Sequence, residues 1–318
     1  MKLVIQIPCF NEESHLPATL DDLPRSLPGI DAIEVLIVDD GSTDRTADVA
    51  RQHGAAVVRI PRNRGLANAF SVGLETSLAM GADVIVNTDA DNQYRGSDIG
   101  SIVAPVLAGS ADLVIGARPI AGMAAFSPLK KTLQRLGSWV VRRVSGTSVA
   151  DASSGFRAMS RDAALQTSIF SRYTYTLESI VQAAQRGLRV ASVPVGVNAV
   201  LRKSRLAASD ASYLWQAGSG LLRILVVYRP FRSFMLPAIL LFAIATVIGL
   251  RFLYYLAVEG GGGHVQSLIF AAILYGLSGI LMAVAFLGDL LAINRRLLEE
   301  LRLEQRRARF GDSDRPSR

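Results

Sequence analysis

The chain has one cysteine, Cys9, and three histidines, His15, His53 and His264. A lone cysteine excludes an internal disulfide and, without partner ligands, a zinc site; it reads as a small buried residue in a reducing compartment. No Gly-x-Gly-x-x-Gly follows the first apolar run, and no Gly-x-x-x-x-Gly-Lys-Ser/Thr occurs anywhere. Both absences remove a way of binding phosphate, the dinucleotide mode and the P-loop mode. No basic stripe is interleaved with aromatics, so nucleic acid is not an expected partner. One lysine and a short apolar run precede Asn11, Glu12 and Glu13, which is too little for a signal peptide.

What the sequence has in excess is apolar residues, half of the 318, concentrated after about residue 210. The segments 234–258 and 265–287 are each long enough to cross a hydrocarbon core, which takes about 20 residues. Before them, Leu214, Gly218, Leu221, Leu225 and Tyr228 fall on one helical stripe, with Trp215, Arg223 and Arg229 at headgroup level. The expected organisation is a soluble domain at 1–209, an interfacial helix at 210–233, a transmembrane hairpin at 234–293 and a basic tail at 294–318. The hairpin turn 259–264 lacks Lys and Arg, whereas Arg229, Arg232, Arg295, Arg296, Arg302, Arg306, Arg307 and Arg309 flank the outer ends. The positive-inside rule then predicts a multi-pass protein of the inner membrane with its soluble domain and both termini in the cytoplasm. The net charge of +7 sits largely beside the apolar segments and points to anionic membrane lipids as partners.

Within 1–209, short apolar runs at 3–7, 34–38, 56–60, 83–86 and 112–115 read as buried strands. Helix-length segments at 13–23, 43–53 and 65–80 separate them, the alternation expected of an α/β domain with a mostly parallel sheet flanked by helices. In such sheets ligands bind at the carboxyl ends of the strands, and here those ends are acidic. The first opens into Asn11-Glu12-Glu13, the second into Asp39-Asp40-Gly41-Ser42-Thr43-Asp44, the fourth into Asp89-Ala90-Asp91-Asn92-Gln93-Tyr94. Asp89 and Asp91 at one strand end suit a divalent cation such as Mg²⁺, which binds carboxylates together with substrate phosphates; a solvated acidic turn is the other reading. Asp39 or Asp40 either accepts hydrogen bonds from a base or ribose or belongs to a turn and helix cap.

Four ordered motifs resemble glycosyltransferase family 2: Ile7-Pro8-Cys9-Phe10-Asn11-Glu12-Glu13, Val38-Asp39-Asp40-Gly41-Ser42-Thr43-Asp44, Asn63-Arg64-Gly65-Leu66-Ala67-Asn68-Ala69 and Asp89-Ala90-Asp91-Asn92-Gln93. Within it the chain is similar to polyprenyl-phosphate glycosyltransferases, the group that includes dolichyl-phosphate mannose synthases. The resemblance implies a nucleotide-diphosphosugar transferase of the GT-A fold, inverting and dependent on Mg²⁺ or Mn²⁺. It implies a UDP- or GDP-sugar donor and a polyprenyl phosphate acceptor, and it leaves association into homo-oligomers open. Carried onto this sequence, Pro8, Phe10, Glu12, Asp39 and Asp40 frame the nucleoside, while Asp89, Asp91 and Gln93 surround metal and diphosphate. Arg118 matches the family's Gly-x-Arg and faces phosphate or sugar; Asp151 begins an Asp-x-x-Ser-Gly-Phe segment near the sugar pocket and acceptor side.

Arg202 and Ser204 match the family's arginine, two residues and Ser-Lys pair, but with one residue fewer between them and with Arg205 where a lysine is usual. A helix over 128–144, with apolar positions Leu129, Leu133, Leu136, Val140 and Val141, carries Lys131 and Arg135; it either rests on the membrane surface and offers cations to a lipid phosphate or presents a plain solvated face. With Arg202, Ser204 and Arg205 they complete the lipid-phosphate candidates. Glu178 is either a first-turn carboxylate or a neighbour of the sugar. Two other functions stay open: transfer to a lipid or glycan hydroxyl, and a non-catalytic membrane scaffold. A processive polysaccharide synthase is disfavoured by the lack of Gln-x-x-Arg-Trp around Trp139 or Trp215.

Overall fold

The computed structural model describes residues 1–120, 128–169, 175–198, 218–220, 222–223, 225–260 and 265–311. The chain divides into two compact units, Met1–Leu221 with Arg302–Arg318, and Leu222–Leu301.

The first unit is built on seven strands: β1 (Lys2–Cys9), β2 (Ala32–Asp39), β3 (Ala56–Arg59), β4 (Val84–Asn87), β5 (Leu113–Ala117), β6 (Arg157–Ser160) and β7 (Val190–Pro194). They lie in the order β3-β2-β1-β4-β6-β5-β7. All pairings are parallel except those of β6, which runs antiparallel between β4 and β5. The helices are α1 (Leu16–Asp22), α2 (Thr46–Gln52), α3 (Leu66–Ala79), α4 (Ile99–Leu107), α5 (Pro128–Ser145), α6 (Arg161–Gln166) and α7 (Thr176–Gln185).

β1 is buried along almost its whole length because it is central and covered on both faces, which is why it reads as a nearly continuous apolar run. Its odd positions, Leu3, Ile5, Ile7 and Cys9, join a core with Leu16 of α1, Ala50 of α2 and Ile99, Ile102, Val103 and Val106 of α4. Gln6, one of its even positions, meets α3, its Nε2 donating to the Phe70 carbonyl. The connections step outward from β1 to β2 to β3, then α3 returns the chain to β4 on the other side of β1. That reversal is a topological switch point, where the carboxyl ends of neighbouring strands diverge and leave a crevice.

The second unit contains α8 (Pro230–Glu259) and most of α9 (Val265–Phe310). Residues 230–233 thus belong to α8, and the basic segment 295–309 continues α9 without a break. The two helices meet through small buried residues, Ala238, Ala245, Ala271, Ser278 and Ala285. Ser278 Oγ donates to the Ala238 carbonyl at 2.9 Å, and the Tyr275 hydroxyl bonds Thr246 Oγ1 at 3.0 Å. Close packing over small side chains with a few interhelical hydrogen bonds is how helices associate in lipid. Both helices are long and apolar enough to cross a membrane, and their most apolar stretches are largely unburied by protein. Leu236, Leu240, Val247 and Leu291 all face outward.

The last turns of α9 return to the first unit. There Arg306 donates to the carbonyls of Leu165 and Thr167, at the end of α6, and to Glu75 at 3.0 Å.

Candidate active site

The loops after β1 and β2 form one hydrogen-bonded edge. Asn11, at φ 54°, receives a hydrogen bond at its Oδ1 from the Thr43 amide at 2.8 Å and donates its own amide to Ser42 Oγ at 2.9 Å. The Glu12 amide donates to Thr46 Oγ1 at 2.8 Å, and Glu13 accepts from the Arg45 amide at 2.9 Å. Pro8 and Glu12 are buried, and Phe10 is 39% exposed, the one member of the nucleoside set that shows a ring to solvent. Asp39 is fully buried: its Oδ1 accepts from the Ser42 amide at 2.8 Å, while Oδ2 lies 3.3 Å from Arg59 Nε. Asp40 spends both oxygens on the backbone, accepting from Arg64 at 2.9 Å and Gly65 at 2.8 Å. It fixes the start of α3; burial raises its pKa despite those amides. The carboxylate is thus a brace for the 63–65 motif.

β4 ends in Asn87 and delivers Asp89 and Asp91 into the crevice beside β1. Asp91 Oδ1 accepts from the Gln93 amide at 3.2 Å, closing a tight turn with Asn92 at φ 52°. Asn198 holds that turn from the far side, its amide donating to the Gln93 carbonyl at 2.9 Å and its Nδ2 to the Asn92 carbonyl at 3.1 Å. Although Asp89 as a residue is half-buried, its carboxylate sits close against the backbone at Gly155. Burial, then the neighbouring Asp91, push its pKa up to about 7, against the opposing pull of Arg118 and Arg157. Two crowded hard-oxygen donors fit a small divalent cation. Among the described residues no third His, Cys, Asp or Glu joins them, so such a cation would complete its shell with substrate phosphate and water.

Arg118 and Asp151, distant in sequence, form a buried bidentate pair: Nε to Oδ2 at 2.7 Å and Nη2 to Oδ1 at 3.2 Å. Their side chains are 8% and 1% exposed. Ser153 Oγ accepts a further bond from Arg118 Nη2 at 2.9 Å and donates to Asp151 at 2.8 Å.

Several site-building residues escape sequence reasoning. Gln6 Nε2 donates to Asn87 Oδ1 at 3.0 Å, and Asn87 Nδ2 donates to the Gly155 carbonyl at 2.9 Å and to the Tyr175 hydroxyl at 3.0 Å. Tyr175 stacks on Phe70 at 3.9 Å between ring centres. Arg157 is fully buried, donating to the carbonyls of Thr176 and Ser154 and to Ser179 Oγ. The signal for such residues is a polar side chain inside or closing an otherwise apolar strand, as with Gln6 and Asn87. Tyr94 packs: it is buried, stacks on Phe156 at 5.0 Å, and its hydroxyl accepts from the Gly155 amide at 3.2 Å. Glu178 is buried in the first turn of α7. Lys131 and Arg135 lie on α5, part-buried and exposed respectively. Arg202, Ser204 and Arg205 lie outside the described residues.

Residues 4–166 match the family model described as Glycosyl transferase family 2. The chain is 31% identical over 206 residues to undecaprenyl-phosphate mannosyltransferase of Micrococcus luteus, covering 61% of this chain and 83% of that protein. Polyprenol monophosphomannose synthase of Mycolicibacterium smegmatis is 26% identical over 206 residues, covering 61% and 76%. Among solved structures, glucosyl-3-phosphoglycerate synthase from Mycobacterium tuberculosis in complex with Mn²⁺, uridine diphosphate and glucosyl-3-phosphoglycerate shares the fold. The TM-score is 0.54 at 23% identity, over 71% of this chain and 78% of that one.

Proposed function

The chain belongs to glycosyl transferase family 2, and from that premise we propose that it moves a sugar, with inversion, from a nucleotide diphosphosugar to a polyprenyl phosphate at the cytoplasmic face of a membrane. The observation that carries this reading is the gathering of Asp39, Asp40, Asp89 and Asp91 at the strand ends beside the sheet's switch point, in a chain that also holds two helices of membrane-spanning length. A membrane anchor suits a donor site whose acceptor is confined to the bilayer. The similarity to relatives named for undecaprenyl phosphate and polyprenol supports the same acceptor.

Pro8, Phe10, Glu12 and Asp39 frame the nucleoside, with Asp40 bracing the adjoining loop. Phe10 offers an exposed ring for a base, while Asp39 Oδ2, buried and ion-paired with Arg59 Nε at 3.3 Å, would accept from the nucleoside by exchanging that partner. Asp89, Asp91 and Gln93 would hold Mg²⁺ or Mn²⁺. The ion, when bound, supplies charge neutralisation at the leaving nucleoside diphosphate. Arg118, oriented by Asp151 and Ser153, directs its guanidinium at phosphate or sugar oxygens and is held there before substrate arrives. Arg202, Ser204 and Arg205, with Lys131 and Arg135, are assigned to the acceptor phosphate. A phosphate oxygen of the acceptor forms the new bond to the anomeric carbon as the bond to the diphosphate breaks. The acceptor is already ionised at neutral pH, so the chain needs no general base, in keeping with the absence of histidine from the matched motifs.

The test is purified full-length protein with polyprenyl phosphate, Mg²⁺ or Mn²⁺, and a panel of UDP- and GDP-sugars. Transfer to the lipid phosphate is expected from one of them, and Asp91→Ala should abolish it while the protein still inserts into membranes. Transfer to a glycan or lipid hydroxyl and never to the phosphate would reject the acceptor; near-normal turnover of Asp91→Ala would reject the metal assignment.

A further inference from the structure

Large hydrophobic residues are exposed in the first unit, among its described residues, at Met1, Phe10, Leu136 and Trp139 alone. Met1 is the chain start and Phe10 lies at the crevice. Leu136 and Trp139 sit one helical turn apart on α5, 49% and 54% exposed.

α5 is amphipathic in the unexpected sense. Its inward face carries Gln134, Ser138, Val141 and Val144, all buried. One polar member of that face has a clear role there: Ser138 Oγ accepts from the Ala152 amide at 3.1 Å, in the loop that bears Asp151. Arg142, on the flank, donates to the Val149 carbonyl at 3.2 Å. The outward face carries Arg135, Leu136, Trp139 and Arg143, all exposed, at the spacing of one helical stripe. Between 128 and 145 there are five cationic residues and no acidic one.

We infer that this outward stripe is a membrane-seating surface, on which Trp139 and Leu136 enter the headgroup region of an anionic bilayer while Arg135 and Arg143 meet lipid phosphates. Indole at the interface, leucine below it and cations around it are the composition of a helix lying in the plane of a membrane. A second copy of the chain is a poorer occupant, because a two-fold pairing would set the arginines of this stripe, which no acidic residue of α5 offsets, against one another. The inference rests on the membrane association of the chain and is independent of which acceptor receives the sugar. It adds to the acceptor contacts assigned to Lys131 and Arg135 a role for the helix in holding the catalytic unit against the lipid.

Trp139 and Trp215 are the only tryptophans, so Trp215→Phe in the full chain leaves one reporter. The protein is reconstituted in vesicles of equal parts phosphatidylcholine and phosphatidylglycerol, with bromine placed shallow in the acyl chains. Trp139 emission is expected to shift to the blue and to be quenched, with less quenching in phosphatidylcholine alone and in Arg143→Glu. A solvent-like, unquenched emission in both lipid mixtures overturns the inference. A second measurement covers misfolding of the tryptophan variant. Cys9 is buried, so a spin label on Leu136→Cys reports one site, and oxygen should reach it more readily than a water-soluble nickel chelate does. The reverse order, or a disulfide cross-link between copies through that cysteine, rejects the membrane as occupant.

Discussion

At the scale of single residues the site is defined by how closely neutral groups crowd charged ones. A methyl group built on Gly155 would stand 2.8 Å from Asp89 Oδ1 and 3.0 Å from the Tyr175 hydroxyl, so glycine is there to let the backbone touch the carboxylate. Gly155→Ala should therefore turn Asp89 out of position in an otherwise folded protein. Displacement of a reacting group by about 1 Å costs on the order of 100-fold in rate, and a loss of that size in kcat with an unchanged melting curve is expected. Near-parental kcat would show that Asp89 has freedom the packing denies it. Asp151 behaves differently. Asp151→Asn leaves Arg118 buried without its anion, a change that costs about 3–5 kcal/mol in comparable pairs. Replacing both, Arg118→Met with Asp151→Leu, should restore most of that stability in chemical unfolding of the solubilised protein without restoring transfer. Recovery of activity in the double variant would remove Arg118 from the chemistry.

At the scale of elements the same contrast governs what the sequence makes legible. β1, β2, β4 and β5 are legible because strands covered on both faces become unbroken apolar runs. The loops after β1, β2 and β4 are legible because they gather carboxylates at one edge of one sheet, although Asp40 among them serves as a structural brace. β6 is less so, since Arg157-Ala158-Met159-Ser160 opens with an arginine whose burial draws on Thr176 and Ser179 of α7 as well as on the nearby Ser154 carbonyl. The antiparallel run of this strand likewise depends on contacts remote in sequence. α5 is legible as a helix, but which face turns inward is not, because Ser138 is recruited by a loop amide rather than by hydrophobicity.

One pairing at this scale yields a pH prediction. Asp112, preceding β5, accepts from the Arg189 guanidinium at 3.0 and 3.1 Å and from the Arg189 amide at 2.8 Å, tying β5 to β7. The Arg189 side chain, then its amide, hold the Asp112 pKa below the ordinary carboxylate value, more than burial raises it. A depressed folded-state pKa adds stability that is present above the unfolded value of about 3.9 and is lost as pH falls through the lower folded one. Asp112→Asn should thus lower the melting temperature at neutral pH, and its difference from the parent should shrink below about pH 4. A difference that stayed constant across that range would mean the pair contributes through its amide bond alone.

At the scale of the whole molecule, charge and hydropathy are arranged along the chain in a way that motivates the proposed cytoplasmic orientation. The turn between the two long apolar helices, 259–264, holds no Lys or Arg, while the segment after Asn294 holds Arg295, Arg296, Arg302, Arg306, Arg307 and Arg309. Translocating that many arginines is disfavoured, so in the proposed orientation the segment 259–264 is the part that crosses and the carboxyl end of α9 stays on the cytoplasmic side. The contacts of that end agree with such a placement, since Arg306 caps the carbonyls of Leu165 and Thr167 and Arg307 lies 3.5 Å from Asp162, all within one compact unit. Gly262→Cys should accordingly react with a membrane-impermeant maleimide added outside intact cells, and Ser313→Cys should react only after the membrane is opened. Cys9, buried in the sheet, contributes no background. Labelling of both positions from outside would invert the orientation and place the carboxylate crevice on the far face. Labelling of neither, before or after lysis of the cells, would mean that the turn is occluded and that the hairpin does not cross as a simple pair.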